Sequence, residues 1–243
     1  PVSELACTGA AVGASLVGMK PIVVHPRIDF MLYATDPIVN QAAKWNHMFG
    51  GQASPGVTIR AIINRGGEQG AQHSQALHAW YAHVPGLRVV MPATPADARD
   101  LFIASVLCDD PVVFIDDRWL YDLESEIADP PPISLADQGP LVRRPGGDVT
   151  LVGVSWTTRL ALEAADILES EGVDCEVITV LDDDMVGSQV VASQRPMRKM
   201  LYYLRAACRT LACGVSTARR GARFDVLFIQ KVIFPAPVRW WLR

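Results

Sequence analysis

Short apolar runs alternate with segments of helical spacing along most of the chain. Four runs rich in apolar and β-branched residues have the length of buried strands, at 21–25, 57–63, 87–91 and 111–115. Apolar residues recur at helical spacing between and around them, at 4–16, 30–48, 73–82 and 95–107. Strands that are apolar throughout and alternate with helices are typical of a parallel sheet covered on both faces. The pattern therefore predicts an α/β domain at the start of the chain.

A second strand–helix–strand unit follows a proline-rich stretch. Because three consecutive prolines at 130–132 cannot lie inside a helix or a central strand, residues 129–146 are predicted to be a linker. Beyond it the pattern predicts a strand, a helix and a second strand, at 149–154, 157–171 and 174–180. The chain is thus predicted to contain two doubly wound α/β domains, 1–128 and 147–243, with an irregular pattern after about residue 181.

Composition narrows the class of protein. The 243 residues carry a net charge of -4, which argues against a protein that tracks nucleic-acid phosphates. The five cysteines are scattered without a C-x-x-C pair, so neither a disulfide framework nor a zinc site is expected. No uncharged apolar run is long enough to span a membrane, and no signal peptide opens the sequence. We therefore expect a cytoplasmic protein, with organelle targeting left open because Pro1 rather than Met begins the sequence.

His73 is the histidine whose surroundings point to chemistry. His73, His78 and His83 are evenly spaced at five-residue intervals, which does not bring metal ligands to one face of a helix. His73 follows a glycine-rich loop and is predicted to open a helix, whose positive N-terminal end favours neutral imidazole. Such loops lie where α/β proteins bind ligands, and a histidine there can move a proton. An ordinary surface histidine is the alternative, and the residue pattern leaves both open.

Two further features could belong either to a site or to the core. Four aromatic residues could line a pocket for a flat ring: Phe30, Trp45, Trp80 and Tyr81. Aromatic residues at helical spacing belong more often to a core. Arg60 lies between apolar residues of a predicted buried strand, so we expect it to pair with a carboxylate or to face a ligand. The loop before His73 lacks the usual phosphate-binding glycine motifs, and the chain contains no G-x-S-x-G elbow.

Residues 70–121 contain a specific run of residues, Gln72-His73-Ser74-Gln75 followed by H-x-P-G-L-x-V-x-x-P. Through this run they resemble the β subunit of 2-oxo acid dehydrogenases of the pyruvate, branched-chain and acetoin type. Three further segments resemble the same family: PVSELACTGAAVGASLVGMKPIV at 1–23, DPIVNQAAKWNHMFGGQ at 36–52 and DVTLVGVSWTTRLALEAADILESEGVDCEVI at 148–178. Together they extend the resemblance over about residues 1–180.

The resemblance implies a fold, a cofactor and partners. The fold would be a pyrimidine-binding thiamine-diphosphate domain, truncated at its N-terminus, followed by a transketolase C-terminal-like domain. The assembly would be an α2β2 heterotetramer in which the α subunit binds the diphosphate and Mg²⁺. The implied reaction is oxidative decarboxylation of a 2-oxo acid, of pyruvate or branched-chain type, with transfer of the acyl group to the lipoyl group of an acyltransferase.

The resemblance also implies roles for individual residues. His73 matches the active-site histidine of the family, and Phe30 matches the aromatic residue beside the aminopyrimidine ring. With them we assign Arg60 and Gln72 to cofactor binding. A structural K⁺ site is implied at four positions, in the order Ser105, Val106, Cys108 and Asp110. At one of them, Cys108 stands where the family has an aspartate.

Two departures keep alternatives open. The glutamate that activates the cofactor in this family lies upstream of the segment that matches the start of this sequence, and Glu4 matches a different position. The tail after about residue 181 departs from the family, and a change of reading frame in its coding DNA is one hypothesis. The alternatives are an enzyme of the transketolase or deoxyxylulose-phosphate-synthase type and a truncated, non-catalytic subunit.

Overall fold

A computed structural model describes residues 2–64, 69–127, 129 and 134–181, together with the strand Leu227–Phe228. The chain divides into two compact units; among the described residues the second unit contains Pro140–Val180 and the strand Leu227–Phe228, and the first unit contains the others. The expectations for the tail lie outside the described residues, as do the three linker prolines and residues 65–68 of the glycine-rich loop.

A parallel sheet of four strands forms the centre of the first unit. Its order is β1-β2-β4-β3, and each pair of neighbours is parallel. The strands are β1 (Ile22–His25), β2 (Thr58–Ile63), β3 (Arg88–Val90) and β4 (Val112–Asp117). All four apolar runs that predict strands are therefore confirmed, and so is the parallel α/β sheet.

Helices connect these strands, and most lie where the pattern predicts them. They are α1 (Glu4–Leu16), α2 (Ile28–Met31), α3 (Ala43–Met48), α4 (His78–Ala82) and α5 (Pro95–Leu107), with a 3₁₀ turn at Leu32–Ala34 and a π-helical segment at Asp36–Ala42. At the start of α5, the Thr94 side chain accepts a hydrogen bond from the backbone N–H of Asp97 at 3.1 Å. Pro95 occupies the first turn, where its missing N–H is not needed. The cap and the proline together explain why α5 begins as predicted.

The helix predicted at 30–48 is not one regular helix. α2, the 3₁₀ turn, the π-helical segment and α3 follow one another along this stretch. Pro37 is the second residue of the π-helical segment, and in a regular helix its ring would clash with the carbonyl four residues earlier. A wider turn relieves that clash. Pro37 and Ile38 are both buried, so the irregular stretch still packs against the core.

The core of the first unit also fixes the short helix α2. All six residues of β4 are buried, and so are Ile59, Ala61 and Ile63 of β2. Ile28 and Met31 of α2 are fully buried, and burying such a side chain stabilises a fold by about 1.5–3 kcal/mol. The two residues between them, Asp29 and Phe30, are thereby held in place at the end of β1.

A buried histidine joins α1 to the end of β1. His25 is 2% exposed, and its Nε2 lies 3.1 Å from Thr8 Oγ1 on α1. Burial lowers the pKa of His25, although the negative charge of Glu4 acts in the opposite direction. Near the ordinary pKa of histidine, His25 therefore stays neutral in the folded chain, whereas the same imidazole begins to bind a proton in the unfolded chain.

This gives an expected pH dependence of stability. Because the pKa of His25 is lower in the folded state than in the unfolded state, the free energy of unfolding should fall as the pH drops below about 6.5. It should fall further until the folded-state pKa is passed, and above about pH 6.5 the contribution is fully present. His25→Gln, measured by urea unfolding at several pH values, should remove this part of the slope. His47→Gln, at an exposed histidine, is the matched control for the loss of a histidine side chain.

The second unit has a sheet of order β5-β7-β6-β8. Its elements are β5 (Leu141–Arg144), β6 (Val149–Val154), α6 (Trp156–Ser170), β7 (Cys175–Val180) and β8 (Leu227–Phe228). The predicted strand–helix–strand unit is confirmed by β6, α6 and β7, and Gly153 lets α6 approach β6 closely. A Cβ at Gly153 would lie 2.5 Å from Thr158 Cα.

Part of the predicted linker forms regular structure. β5 lies inside the stretch 129–146 and pairs antiparallel with β7. Its apolar run consists of only two residues, Leu141 and Val142, which is too short to predict a strand. The unit boundary after Gly139 places β5 with the second unit.

Candidate active site

The carboxyl ends of β1 and β2 bring two predicted site residues together. The two strands are neighbours in register, with His25 opposite Ala61 near their ends. Phe30 follows β1 on α2, and His73 lies in the connection that leaves β2. Ligands of parallel α/β sheets bind outside the carboxyl ends of the strands. Phe30 and His73 therefore both lie where the sequence predicts a ligand site.

Phe30 and His73 are in direct contact. Their ring centroids are 5.2 Å apart and the rings are nearly perpendicular, at 83°. An edge-to-face pair of this kind stabilises the arrangement by about 0.5–1.5 kcal/mol. Phe30 is nevertheless 38% exposed, a high value for a residue flanked by fully buried neighbours. The pair thus presents an apolar ring and an imidazole side by side at the surface.

The other aromatic residues considered for a flat-ring pocket have different surroundings. Trp45 packs against Phe49, with ring centroids 4.6 Å apart. Tyr81 is buried, and burial raises the pKa of its hydroxyl. Trp80 is 65% exposed. Phe30 is therefore the member of the four that contacts the candidate catalytic histidine.

Two hydrogen-bonded links hold the turn that carries His73. Asp29 Oδ1 accepts from the backbone N–H of Gln75 at 3.2 Å and from its side-chain amide at 2.7 Å. Arg27 Nη2 donates to Gln69 Oε1 at 3.2 Å. The links lie on both sides of His73 in sequence, and their other ends, Arg27 and Asp29, both lie just before Phe30. We call residues 69–75 the histidine turn; it is tied at both ends to the segment that carries Phe30.

The histidine turn replaces the start of a predicted helix. The sequence predicts a helix from residue 73, but α4 begins at His78. The backbone N–H of Gln75 bonds to Asp29 instead of to a helical carbonyl, and the N–H of His73 closes a turn onto Gly70 at 3.2 Å. The predicted effect of a helix dipole on His73 is therefore wrong. The links from α2 orient His73 instead.

One carboxylate oxygen of Asp29 accepts no hydrogen bond from the described residues. The residue is 7% exposed, and its Oδ2 has no hydrogen-bond partner among the described residues. A buried acceptor without a partner is unfavourable by about 1–3 kcal/mol, so this oxygen is a candidate to accept a hydrogen bond from a ligand. Sequence reasoning missed Asp29, Gln75 and Arg27. The available signal was an acidic residue, Asp29, between apolar residues that begin a helix.

Arg60 lies in a separate polar cluster on the sheet. Its guanidinium donates to both oxygens of Asp116 on β4, at 3.3 and 2.5 Å, and to the Tyr121 hydroxyl at 3.2 Å. Tyr121 also donates to Asp116 at 2.7 Å. Burial, followed by the hydrogen bond to Asp116, raises the pKa of Tyr121 to about 12. Arg60 therefore pairs with a carboxylate, which is one of the two surroundings that the sequence predicts for it. Its assignment to cofactor binding stays a prediction.

The remaining predicted residues lie in two places. Gln72 is exposed in the histidine turn, directly before His73, and its role stays a prediction. The four positions assigned to K⁺ follow one another at the end of α5: Ser105, Val106, Cys108 and Asp110. Ser105 is buried, whereas Val106, Cys108 and Asp110 are partly exposed. This group precedes β4 and therefore lies at the amino end of the strand, whereas Phe30 and His73 follow carboxyl ends.

Family models match both halves of the chain. The model described as the transketolase pyrimidine binding domain matches residues 1–123, and the model of the transketolase C-terminal domain matches residues 139–213.

Within the part of the chain that the structure describes, no helix is long and apolar enough to cross a membrane.

Curated relatives come from two named enzyme types. The chain is 43% identical over 178 residues to the acetoin:2,6-dichlorophenolindophenol oxidoreductase subunit beta of Cupriavidus necator, covering 73% of this chain and 52% of that protein. It is 41% identical over 187 residues to the mitochondrial pyruvate dehydrogenase E1 component subunit beta-2 of Oryza sativa, covering 74% and 49%. The corresponding subunit of Rickettsia felis is 36% identical over 203 residues, covering 80% and 61%. The chain therefore spans about half the length of these relatives.

The fold also matches solved structures. A split-gene transketolase, described as an inactive beta4 tetramer, superposes with a TM-score of 0.65 at 22% identity, covering 98% of this chain and 76% of the other. At that identity the likeness concerns the fold alone. Because the first family model covers half of the sequence and the second follows it, the chain belongs to the family of transketolase pyrimidine-binding domains with a transketolase C-terminal domain.

Proposed function

We propose that the chain supplies the β-subunit part of a thiamine-diphosphate site in a 2-oxo acid dehydrogenase. The reaction is the oxidative decarboxylation of pyruvate or a branched-chain 2-oxo acid, with transfer of the acyl group to lipoyl. The observation that carries the proposal is the contact between Phe30 and His73 at the carboxyl ends of β1 and β2. The names of the relatives, subunits beta of pyruvate and acetoin enzymes, support it.

The described residues fit the pyrimidine half of the cofactor. Phe30 offers an exposed aromatic surface, and Asp29 offers a buried carboxylate oxygen without a partner. An apolar ring with a nearby acceptor suits a flat heterocycle that bears an amino group. We propose that Phe30, Gln72 and Arg60 belong to the part of the site that this chain contributes. The diphosphate and Mg²⁺ are assigned to the α subunit.

His73 is proposed to move protons beside the reacting atoms. Thiamine diphosphate, when bound, supplies a nucleophilic carbon and an electron sink for decarboxylation. A neutral ring nitrogen of His73 can accept a proton, and a protonated one can donate to the lipoyl sulfur that is released when the disulfide opens. The contact with Phe30 and the two links of the histidine turn hold the imidazole in one orientation. Such pre-organisation is what proton transfer requires.

Exposed apolar side chains support the proposed assembly with an α subunit. Tyr33 and Trp80 are 68% and 65% exposed, and Ile22 and Val24 on the edge strand β1 are 45% and 52% exposed. Ile22 and Val24 lie two residues apart on one face of β1, and exposed apolar patches mark surfaces that another polypeptide can cover. We propose an α2β2 heterotetramer that works with a lipoyl-bearing acyltransferase in the cytoplasm.

Mixing the chain with an α subunit tests the proposed function. The mixture should release CO₂ from a 2-oxo acid, whereas neither polypeptide should do so alone. Titration calorimetry with thiamine diphosphate and Mg²⁺ should give heat only when both polypeptides are present. Turnover of a sugar phosphate instead would favour a transketolase-type enzyme. Binding of the α subunit without cofactor binding or CO₂ release would favour a non-catalytic subunit.

A further inference from the structure

The ammonium of Lys20 joins three backbone segments at the amino ends of neighbouring strands. Lys20 lies before β1, Gly56 before β2, and Cys108 between α5 and β4. Lys20 Nζ donates to the carbonyl oxygen of Cys108 and to Asp109 Oδ1, each at 2.7 Å. A Cβ added to Gly56 would lie 2.8 Å from the ammonium nitrogen and 3.0 Å from that carbonyl oxygen. A positive charge therefore lies where the three segments converge.

The family resemblance implies a K⁺ site in this segment, but several of its donors are engaged by the protein itself. The Cys108 carbonyl accepts from Lys20, and Asp110 Oδ2 accepts from Arg88 Nε at 2.9 Å. Ser105 Oγ donates to a carbonyl one turn earlier at 2.6 Å. The Cys108 carbonyl and the Asp110 carboxylate thus already hold cationic side chains, which does not fit a K⁺ ion bound by the same donors.

A tethered ammonium can do what a bound K⁺ ion does at such a place. Proteins hold K⁺ with carbonyl oxygens that replace its hydration shell, and an ammonium bonds to the same oxygens with the same charge. A second cation at the Cys108 carbonyl would be repelled by the first at short range. Asp109 supplies the matching negative charge, with its Oδ1 at 2.7 Å from the ammonium nitrogen.

We propose that the Lys20 ammonium takes the place of a structural K⁺ ion at the Cys108 carbonyl, so that the first unit folds without K⁺. The proposal concerns the packing of β1, β2 and β4 at their amino ends, and it does not depend on the proposed function.

Thermal unfolding of the full chain in KCl and in choline chloride of equal ionic strength tests this proposal. The unaltered chain should unfold at the same temperature in both salts. Lys20→Met keeps the length of the side chain but leaves the Cys108 carbonyl without its cation. It should unfold about 2–4 °C lower than the unaltered chain in choline chloride, and KCl should restore part of that loss.

Matched variants separate the proposed role from a general effect of losing a lysine. Lys44 Nζ also donates to a backbone carbonyl, that of Pro85 at 2.5 Å, so Lys44→Met should show no difference between the salts. Lys20→Arg keeps a cation and should also be indifferent to K⁺. If Lys20→Met folds in neither salt, Lys20→Gln, whose amide donates without a charge, takes its place. Stabilisation of the unaltered chain by K⁺, or a neutral variant at position 20 that K⁺ does not stabilise, would overturn the proposal.

Discussion

Replacing His73 with alanine is expected to lower kcat for acyl transfer to lipoyl by roughly 10²–10⁴-fold, the usual effect of removing a positioned acid or base. The substitution removes the imidazole that lies edge-on to Phe30, and no other histidine among the described residues is in ring contact with Phe30. The turnover of the chain mixed with its α subunit measures this effect. Cofactor affinity should change little, because Phe30 and Asp29 remain.

His47→Ala is the control for the loss of a histidine. His47 is exposed at the end of α3 and makes none of the contacts that define the histidine turn. The turnover of the His47→Ala chain should equal that of the unaltered chain. Full lipoyl acylation by the His73→Ala chain, with cofactor bound, would show that the imidazole takes no part in the chemistry.

Replacing Asp29 with alanine is expected to lower kcat by about 10–100-fold while KM for the 2-oxo acid changes less. The carboxylate holds two donors of Gln75, and without it the histidine turn keeps only the link from Arg27 to Gln69. The imidazole would then sample several orientations, and a small misplacement of a reacting group is enough for a loss of this size. Leaving two donors without an acceptor should also lower the free energy of unfolding by about 1–3 kcal/mol.

Two variants distinguish positioning by Asp29 from a general loss of stability. Asp29→Asn keeps an oxygen acceptor for the backbone N–H of Gln75 and should recover part of kcat. Asp36→Ala removes a comparable bond, from Asn40 to Asp36 Oδ1 at 2.8 Å, in the same helical stretch. It should leave kcat unchanged. Equal losses of kcat in Asp29→Ala and Asp36→Ala would mean that Asp29 has no special effect on His73.

The strands and the longer helices could be predicted because their sequences leave few alternatives. The apolar runs that form β2 and β4 are buried on a sheet, and α1 has the bounds that its helical pattern predicts. α5 carries its own cap and proline. In these elements local preference and tertiary packing favour the same structure.

The start of α4 could not be predicted because a distant residue determines it. The stretch from His73 to Leu77 has a helical pattern, but Asp29 accepts the backbone N–H of Gln75 across 46 positions of sequence. No local rule detects a bond of that kind. The same limit applies to β5, whose pairing with β7 is set by residues that follow it in the chain.

Only part of the candidate site could be predicted from the sequence. The resemblance to a known family assigned His73 and Phe30, but their contact depends on the parallel pairing of β1 with β2. Asp29 carries a structural role that the resemblance did not indicate. Arg60 was expected to pair with a carboxylate or to face a ligand, and its partner Asp116 lies on a strand that follows much later in the sequence.

The most direct test of the site follows the ring of Phe30 itself. Replacing Phe30 by 4-fluorophenylalanine places a ¹⁹F label at the exposed ring, and the same label at Phe49 serves as a control on the ring that packs against Trp45. In the complex with an α subunit, thiamine diphosphate and Mg²⁺ should shift the resonance at position 30 and leave that at position 49 unchanged. Tight cofactor binding to the complex with no change at position 30 would contradict a site built on Phe30 and His73.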